Sequence, residues 1–239
     1  MKSLAPSEWL IVLMLAAMFQ GNQPWREKPY NEWVQRDLDN IFNHSPWVRQ
    51  FTITVGKGSP MDAPDPNSAI GREYQTGGAR DPNVPKVGRN DGAFLSPNVE
   101  TLTFDIRWAS SLTWRQFTVR QAQLAGVQDK NAEAALSEPP ANYKISLSGG
   151  SPAEYSGLTV AMLQQSAYLE TEKTKQKIPV GSVWISPAWI DFYFPRQIDG
   201  TPIISEQETK VSFHCKLKVS SIHADFDVKK MVRQGKPDL

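Results

Sequence analysis

The segment VETLTFDIRW (residues 99–108) carries the clearest pattern in the chain. Its large apolar side chains occupy every second position, at Leu102, Phe104, Ile106 and Trp108, and polar side chains occupy the positions between them. Successive side chains of a β-strand point to opposite faces, so this alternation predicts a strand with one buried and one solvated face. A half-solvated strand of this kind favours an antiparallel sheet.

Working outward from this strand, four segments with similar alternation are predicted to be strands: 51–55, 143–147, 211–219 and 222–228. Two further strands are predicted at 177–185 and 189–194. Apolar spacings of three and four residues predict helices in three segments: 31–42, 112–125 and the first part of 158–169. These elements predict an α+β fold, with a mainly antiparallel sheet of six or seven strands and about three helices packed largely on one face.

The last two strands are predicted to form a hairpin that turns at Ser220 and Ser221. In the favoured register one face of the hairpin is apolar, with Cys215 opposite Phe226. In the same register, the polar face of the hairpin carries three pairs: Lys216 with Asp225, His214 with Asp227, and Lys218 with His223. A shift by one residue would mix the two faces, which favours this register.

This register bears on three potential metal ligands that are close in sequence, His214, Cys215 and His223. His214 and Cys215 point to opposite faces of their strand, and His223 lies four positions along the hairpin from Asp227, the predicted partner of His214. The three side chains therefore do not converge on one ion. The sequence predicts no metal site and no cofactor, and it makes Cys215 a small core residue.

The chain has 239 residues, with 26 Lys and Arg against 25 Asp and Glu, a formal net charge of +1. This balance argues against nucleic acid as a partner, because phosphate backbones are bound by concentrated positive charge. The single cysteine excludes an internal disulfide. No nucleophile elbow, phosphate-binding loop or dinucleotide-binding glycine motif occurs, so no catalytic residue is assigned and a non-enzymatic function is favoured.

Residues 1–21 are predicted to be a signal peptide. Lys2 precedes ten consecutive apolar residues, 10–19, a run too short to span a bilayer but typical of an export signal. We expect an exported protein, periplasmic or extracellular, with no integral membrane span after cleavage. A buried N-terminal helix is the alternative interpretation of the same run.

The remainder, residues 22–239, is predicted to form a single domain interrupted by a polar insert at about 56–98. The insert is dense in Pro, Gly, Asp and Asn, and its five basic and five acidic residues cancel. A stretch of this length and composition is typical of an extended surface loop.

The densest aromatic cluster lies within eleven positions: Trp184, Trp189, Phe192, Tyr193 and Phe194. On adjacent strands some of these side chains face away from the core, unless both faces of the sheet are covered. We therefore predict a binding surface formed by Trp184, Trp189 and Tyr193, with coverage of both sheet faces as the alternative.

Three stretches carry a family resemblance: Lys28-Pro29-Tyr30 with Trp33, then Asn43-His44-Ser45-Pro46-Trp47, and Phe192-Tyr193-Phe194-Pro195-Arg196 leading to Lys229-Lys230-Met231-Val232 and Gly235-Lys236. The chain resembles a group of uncharacterised secreted acidobacterial proteins, some of them described as relatives of GWxTD-domain proteins. The GWxTD motif itself does not occur here. The resemblance implies export and a shared fold, and it assigns no catalytic or binding residue.

Two functions follow as expectations. The leading one is a non-enzymatic exported module that binds another protein or a polymer of the cell envelope. The alternative is a secreted hydrolase whose site is assembled from residues distant in sequence.

Overall fold

The computed structural model describes residues 23–56, 99–127, 130–218 and 220–239. The chain divides into two compact units, one of residues 1–51 with 104–239 and the other of residues 52–103. The predicted signal peptide lies outside the described residues, as does nearly all of the predicted insert. The prediction of a single domain over 22–239 stays a prediction, and the sites described below belong to the first unit.

The described ranges contain six α-helices: α1 Pro24–Glu27, α2 Gln35–His44, α3 Leu112–Leu124, α4 Ala132–Ser137, α5 Pro152–Tyr155 and α6 Val160–Ser166. The prediction for α3 is confirmed to within one residue. Helix α2 begins at Gln35 rather than Asn31, because the Asp37 carboxylate accepts a hydrogen bond from the Val34 backbone N–H at 2.8 Å and fixes the start there. No helix in these ranges is long and apolar enough to cross a membrane.

The same ranges contain thirteen strands: β1 Val48–Gly56, β2 Val99–Trp108, β3 Asn142–Gly149, β4 Tyr168–Thr171, β5 Lys177–Pro179, β6 Ser182–Ile185, β7 Trp189–Pro195, β8 Gln197–Ile198, β9 Thr201–Pro202, β10 Lys210–Lys216, β11 Ser221–Asp227, β12 Val232–Arg233 and β13 Lys236–Pro237. They form a five-stranded sheet in the order β1-β2-β3-β7-β6, a four-stranded sheet in the order β11-β10-β4-β5, and two short two-stranded ribbons. Every strand pair whose register is described is antiparallel. The predicted α+β fold with mainly antiparallel pairing is confirmed.

The strands belong to two main sheets rather than to one sheet of six or seven strands. The predicted strand over 177–185 is in fact two strands, since the chain leaves the four-stranded sheet after β5 and enters the five-stranded sheet at β6. The Gly181 N–H donates to the Tyr193 carbonyl at 2.8 Å, which starts the pairing with β7. The apolar positions change parity across Gly181, from Ile178 and Val180 to Val183 and Ile185, and this change marks the passage from one sheet to the other.

The apolar faces of the two sheets pack against each other. Trp108 of the five-stranded sheet meets Phe226 of the four-stranded sheet edge to face, with ring centroids 5.2 Å apart. Phe192 and Phe213 make a second contact between the sheets, with tilted rings whose centroids are 5.1 Å apart. All four side chains are fully buried. Aromatic side chains of this size each bury about 150–250 Å² and dominate the stability of a core.

The predicted hairpin exists, but its predicted register is wrong by four residues. Cys215 is opposite Ile222 rather than Phe226, and Phe213 is opposite Ala224. The prediction centred the turn on Ser220 and Ser221, with a loop of two or four residues, whereas the observed loop covers residues 217–220 and is closed by a Leu217 N–H bond to the Ser220 carbonyl at 2.8 Å. A shift of four keeps every side chain on its predicted face, so the apolar pattern alone did not distinguish the two registers.

The position of this loop is fixed by a buried carboxylate from another part of the chain. Glu154 of α5 is 2% exposed and accepts hydrogen bonds from the Ser220 backbone N–H at 3.3 Å and from its hydroxyl at 2.7 Å. Because a buried carboxylate needs such donors, this contact favours the observed loop over a turn at Ser220 and Ser221.

Candidate ligand-binding groove

The face of the five-stranded sheet opposite the core is polar. Its side chains come from the outward positions of β2, β3 and β7, which alternate with the buried aromatic and aliphatic positions. The register places these side chains next to one another in three pairs: Lys144 with Tyr193, Ser146 with Asp191, and Ser148 with Trp189. The result is a grid of charged, hydroxyl and aromatic groups.

Helices α3 and α4 form a wall beside this polar face, and the space between the sheet and the helices is a groove of about 830 Å³. Trp114 and Arg115 contribute from α3, and Leu136 contributes from α4. The Arg115 guanidinium donates to the backbone carbonyls of Ala135 at 2.6 Å and Glu138 at 2.9 Å. These bonds connect the two helices that form this wall.

The N-terminus of α3 is held by a carboxylate from the other end of the chain. Asp238 accepts hydrogen bonds from the backbone N–H groups of Leu112 at 2.5 Å and Thr113 at 3.0 Å. Ser111 also accepts from the Trp114 N–H at 3.1 Å, as an N-cap residue. A negative charge here satisfies donors that the helix leaves free and interacts well with its dipole. Helix α3 is therefore anchored where it borders the groove.

Asp191 lies on the floor of the groove, and its side chain is only 7% exposed. One carboxylate oxygen accepts from the Ser146 hydroxyl at 2.5 Å, and the other is 2.8 Å from the Lys144 ammonium. Lys144 also lies 5.7 Å from the centroid of the Tyr193 ring. A buried carboxylate is stable only with such partners, and this one orients a lysine and a serine toward the groove.

Arg107 of β2 forms a second ordered cationic group. Its guanidinium donates to the Ser148 hydroxyl at 2.7 Å and pairs with Asp105 at 3.1 Å. The guanidinium carbon lies 4.7 Å from the centroid of the Phe42 ring and 5.6 Å from that of Trp114. Burial lowers the pKa of Arg107 and the Asp105 charge opposes that shift, and the group stays protonated at neutral pH.

The three residues predicted as a binding surface share the face of this groove. Trp184 and Trp189 are 63% and 47% exposed, and Tyr193 is partly exposed. Trp189 and Tyr193 line the groove, and Trp184 lies one strand further out, opposite Asp191 in the register. Phe192 and Phe194 are buried in the core.

Sequence reasoning missed the polar residues of the groove: Arg107, Lys144, Ser146, Ser148 and Asp191. Each occupies an outward position of an alternating strand, where a polar side chain is usually just solvated. The one available signal is Asp191, which is the only charged residue in the aromatic segment 189–194. Its partners lie more than forty residues earlier in the chain, so only strand pairing brings them together.

The histidines do not contribute to this groove, since no described residue that lines it is a histidine. His44 is the last residue of α2. His214 and His223 lie on the four-stranded sheet, and the predicted separation between them is wrong. The observed register places them directly opposite each other, with their Nδ1 atoms 3.2 Å apart, and places Asp227 opposite Lys210.

Comparison with known proteins finds no matching family model, no matching curated protein and no matching solved structure. The functional assignment therefore depends on the geometry and charge of the groove and its aromatic border.

Proposed function

We propose that the protein is an exported, non-enzymatic binding protein, and that its groove takes a saccharide chain of the cell envelope. The observation that carries this proposal is the pair of exposed tryptophans, Trp184 and Trp189, beside a groove with an ordered polar floor. Tryptophans with this exposure on one sheet face are unusual in a protein surface and are typical of binding sites.

The groove combines the two kinds of group that a sugar chain requires. Trp189, Tyr193 and Trp114 offer flat aromatic surface for the apolar faces of sugar rings. Ser146, Lys144 and the other polar side chains of the floor offer hydrogen bonds to hydroxyl groups. Binding sites typically join such an apolar wall to a few placed polar groups.

The charge of the groove further favours acidic sugars. Its lining holds three cationic side chains, Arg107, Arg115 and Lys144, and a single carboxylate, that of Asp191. Asp105, which pairs with Arg107, is a second carboxylate beside the lining, so the excess is one positive charge, and it favours a ligand that carries carboxylates. Uronic-acid-bearing chains satisfy both the aromatic and the charge requirement.

The test is binding to a panel of immobilised oligosaccharides with and without uronic acids, followed by titration of tryptophan fluorescence with the fragments retained. We expect uronic-acid fragments to bind and the Trp189→Ala variant to bind at least about tenfold more weakly, the loss of roughly 1.4 kcal/mol that one aromatic contact supplies. Ile198 is 46% exposed and does not line the groove, so Ile198→Ala is the matched control and keeps its affinity.

Two results would count against a saccharide ligand. If no oligosaccharide binds and an envelope protein is captured through Trp189 instead, the groove is a protein-binding surface. If Trp189→Ala and Ile198→Ala bind every fragment equally, the groove is not the site of binding.

A secreted hydrolase is the second candidate, and one contact favours it. The Ser146 hydroxyl bonds to Asp191 at 2.5 Å, with Lys144 on the other carboxylate oxygen, and the serine lines the groove. A carboxylate next to a serine hydroxyl is a possible general base for its activation. Covalent labelling with a fluorophosphonate that disappears in Ser146→Ala would support this function, whereas absence of label on the folded wild-type protein would exclude a nucleophilic Ser146.

A further inference from the structure

The outer face of the four-stranded sheet carries a cross-strand pair of histidines. His214 of β10 and His223 of β11 are directly opposite each other, with ring centroids 4.5 Å apart. Their Nδ1 atoms are the closest polar contact between the two rings, at 3.2 Å. This pair lies in a different sheet from the groove and takes no part in the proposed saccharide binding.

The neighbours of the pair fix the orientation of both rings. The Nε2 atom of His223 lies 3.1 Å from an Asp225 carboxylate oxygen, and a carboxylate only accepts, so this nitrogen carries a proton. The Nδ1 atom of a neutral His223 therefore presents its lone pair to His214. The His214 ring stacks on Tyr168 with centroids 4.6 Å apart and an angle of 11° between the planes.

The distance between the two Nδ1 atoms matches the distance between two histidine nitrogens that bind the same metal ion. Zinc binds histidine nitrogen at about 2.0–2.1 Å, and two such bonds at a tetrahedral angle place the nitrogens about 3.3–3.4 Å apart. The observed 3.2 Å agrees with this value and lies at the long limit for a hydrogen bond between nitrogens. A ligating histidine also usually donates its other N–H to a carboxylate, as His223 does to Asp225.

We propose that His214 and His223 bind a divalent transition-metal ion of the zinc, copper and nickel group through their two Nδ1 atoms. Imidazole nitrogen is a preferred ligand of these ions. Among the described residues no group of three or more histidine, cysteine or acidic side chains is arranged to hold a metal. The ion therefore has two protein ligands, and water completes its coordination, which makes the site exchangeable rather than structural.

The charges around the histidine pair are close to balanced. A cavity of about 210 Å³ beside the histidines is lined by three carboxylates and two lysines: Glu170, Glu172, Asp225, Lys175 and Lys210. Lys210 is engaged with two of these carboxylates, at 3.1 Å from Asp225 and 3.7 Å from Glu172. Lys177 is the other nearby cation, and its ammonium lies over the Tyr168 ring at 4.8 Å. The three carboxylates and three lysines therefore balance, so the local charge does not repel a metal ion.

The test is calorimetric titration of the full chain with Zn²⁺ near neutral pH. We expect one ion per chain, and at least about tenfold weaker binding in His214→Ala and in His223→Ala, since each removes one of the two ligands. The chain has three histidines, so His44→Ala, which changes the one on α2, is the matched control and keeps the affinity. Because the pair is on a solvated face, circular dichroism should show that all three variants stay folded.

A second measurement identifies the ligating atoms. Imidazole ¹⁵N spectra should show that Zn²⁺ shifts the Nδ1 resonances of His214 and His223 and leaves those of His44 unchanged. The proposal is overturned if the wild-type protein binds no Zn²⁺ at millimolar concentration, or if all three histidine variants bind equally. Saccharide binding by Trp189→Ala is measured separately, so failure of one proposal leaves the other unaffected.

Discussion

The two main sheets carry the same chemical motif in two different surroundings. On the five-stranded sheet, Asp191 accepts from Ser146 and pairs with Lys144. On the four-stranded sheet, Asp225 accepts from Ser212 at 2.5 Å and pairs with Lys210 at 3.1 Å. The Asp191 side chain is 7% exposed and the Asp225 side chain is 42% exposed.

The difference shows what the helices add to a sheet face. Helices α3 and α4 line one side of the groove that holds the first motif, and the carboxylate of that motif is buried. The second motif is open to solvent, where the same ion pair is screened and contributes little to stability. Partial burial, rather than residue type, therefore distinguishes the binding groove from an ordinary charged surface.

The largest effect is expected from Asp191→Ala. This variant removes the acceptor of the Ser146 hydroxyl and the partner of Lys144 in a place with little access to water. We expect the free energy of unfolding to fall by about 1–3 kcal/mol, measured by urea denaturation monitored by circular dichroism. An effect as small as that of Asp225→Ala would show that burial does not separate the two motifs.

A third carboxylate, Asp37, sharpens the comparison, because it is buried like Asp191 but lies at the start of α2. Burial by itself would raise the pKa of Asp37, but the Lys28 ammonium at 2.6 Å and the Val34 N–H bring the pKa below its ordinary value. The folded pKa is thus lower than that of the unfolded chain. This carboxylate stabilises the fold above the unfolded pKa of about 3.9 and loses that contribution as pH falls through the folded value.

We therefore expect Asp37→Asn to lower the free energy of unfolding by about 1 kcal/mol at neutral pH. The gap from the wild-type protein should begin to narrow below about pH 4, where the unfolded chain takes up the proton, and should close once the pH is below the lower folded pKa, where the wild-type carboxyl group is protonated in both states. Urea denaturation across this pH range measures the gap. A gap of constant size at all pH values would mean that the charge of Asp37 is not the cause.

The smallest effect is expected from Asp225→Ala, measured in the presence of a chelator so that no metal contributes. The exposed pair with Lys210 is worth less than about 1 kcal/mol, and added salt should reduce it further. A loss comparable to that of Asp191→Ala would contradict the distinction between the covered and the open face.

Much of the fold followed from local pattern. The alternation at 99–108 predicted β2 over its full length, and the spacing at 112–125 predicted α3 to within one residue. The exposure of Trp184 and Trp189 agrees with the sequence argument that some aromatic side chains must face away from the core. These features depend on residues near one another in the chain, which is why periodicity detects them.

Features that depend on distant residues were not predicted. The four-residue loop of the last hairpin left the alternation unchanged, so its effect on the register was hidden. The break between β5 and β6 changes the parity of the apolar positions, but which sheet each strand joins depends on distant partners. The short helix α4 was not among the predicted helices, although it lines the groove. The contact between His214 and His223 was not predicted, because the two residues are opposite each other only in the observed register.

The sequence by itself determined the α+β class, the antiparallel character of the strands and the face on which each strand residue lies, because side-chain direction in a strand has a period of two residues. Tertiary structure decided which strands pair, how far they are shifted and which polar face the helices cover. Those choices depend on long-range contacts such as Glu154 with Ser220 and Asp238 with the start of α3. The groove around Asp191 and the histidine pair both arise from these contacts, and no local pattern encodes either of them.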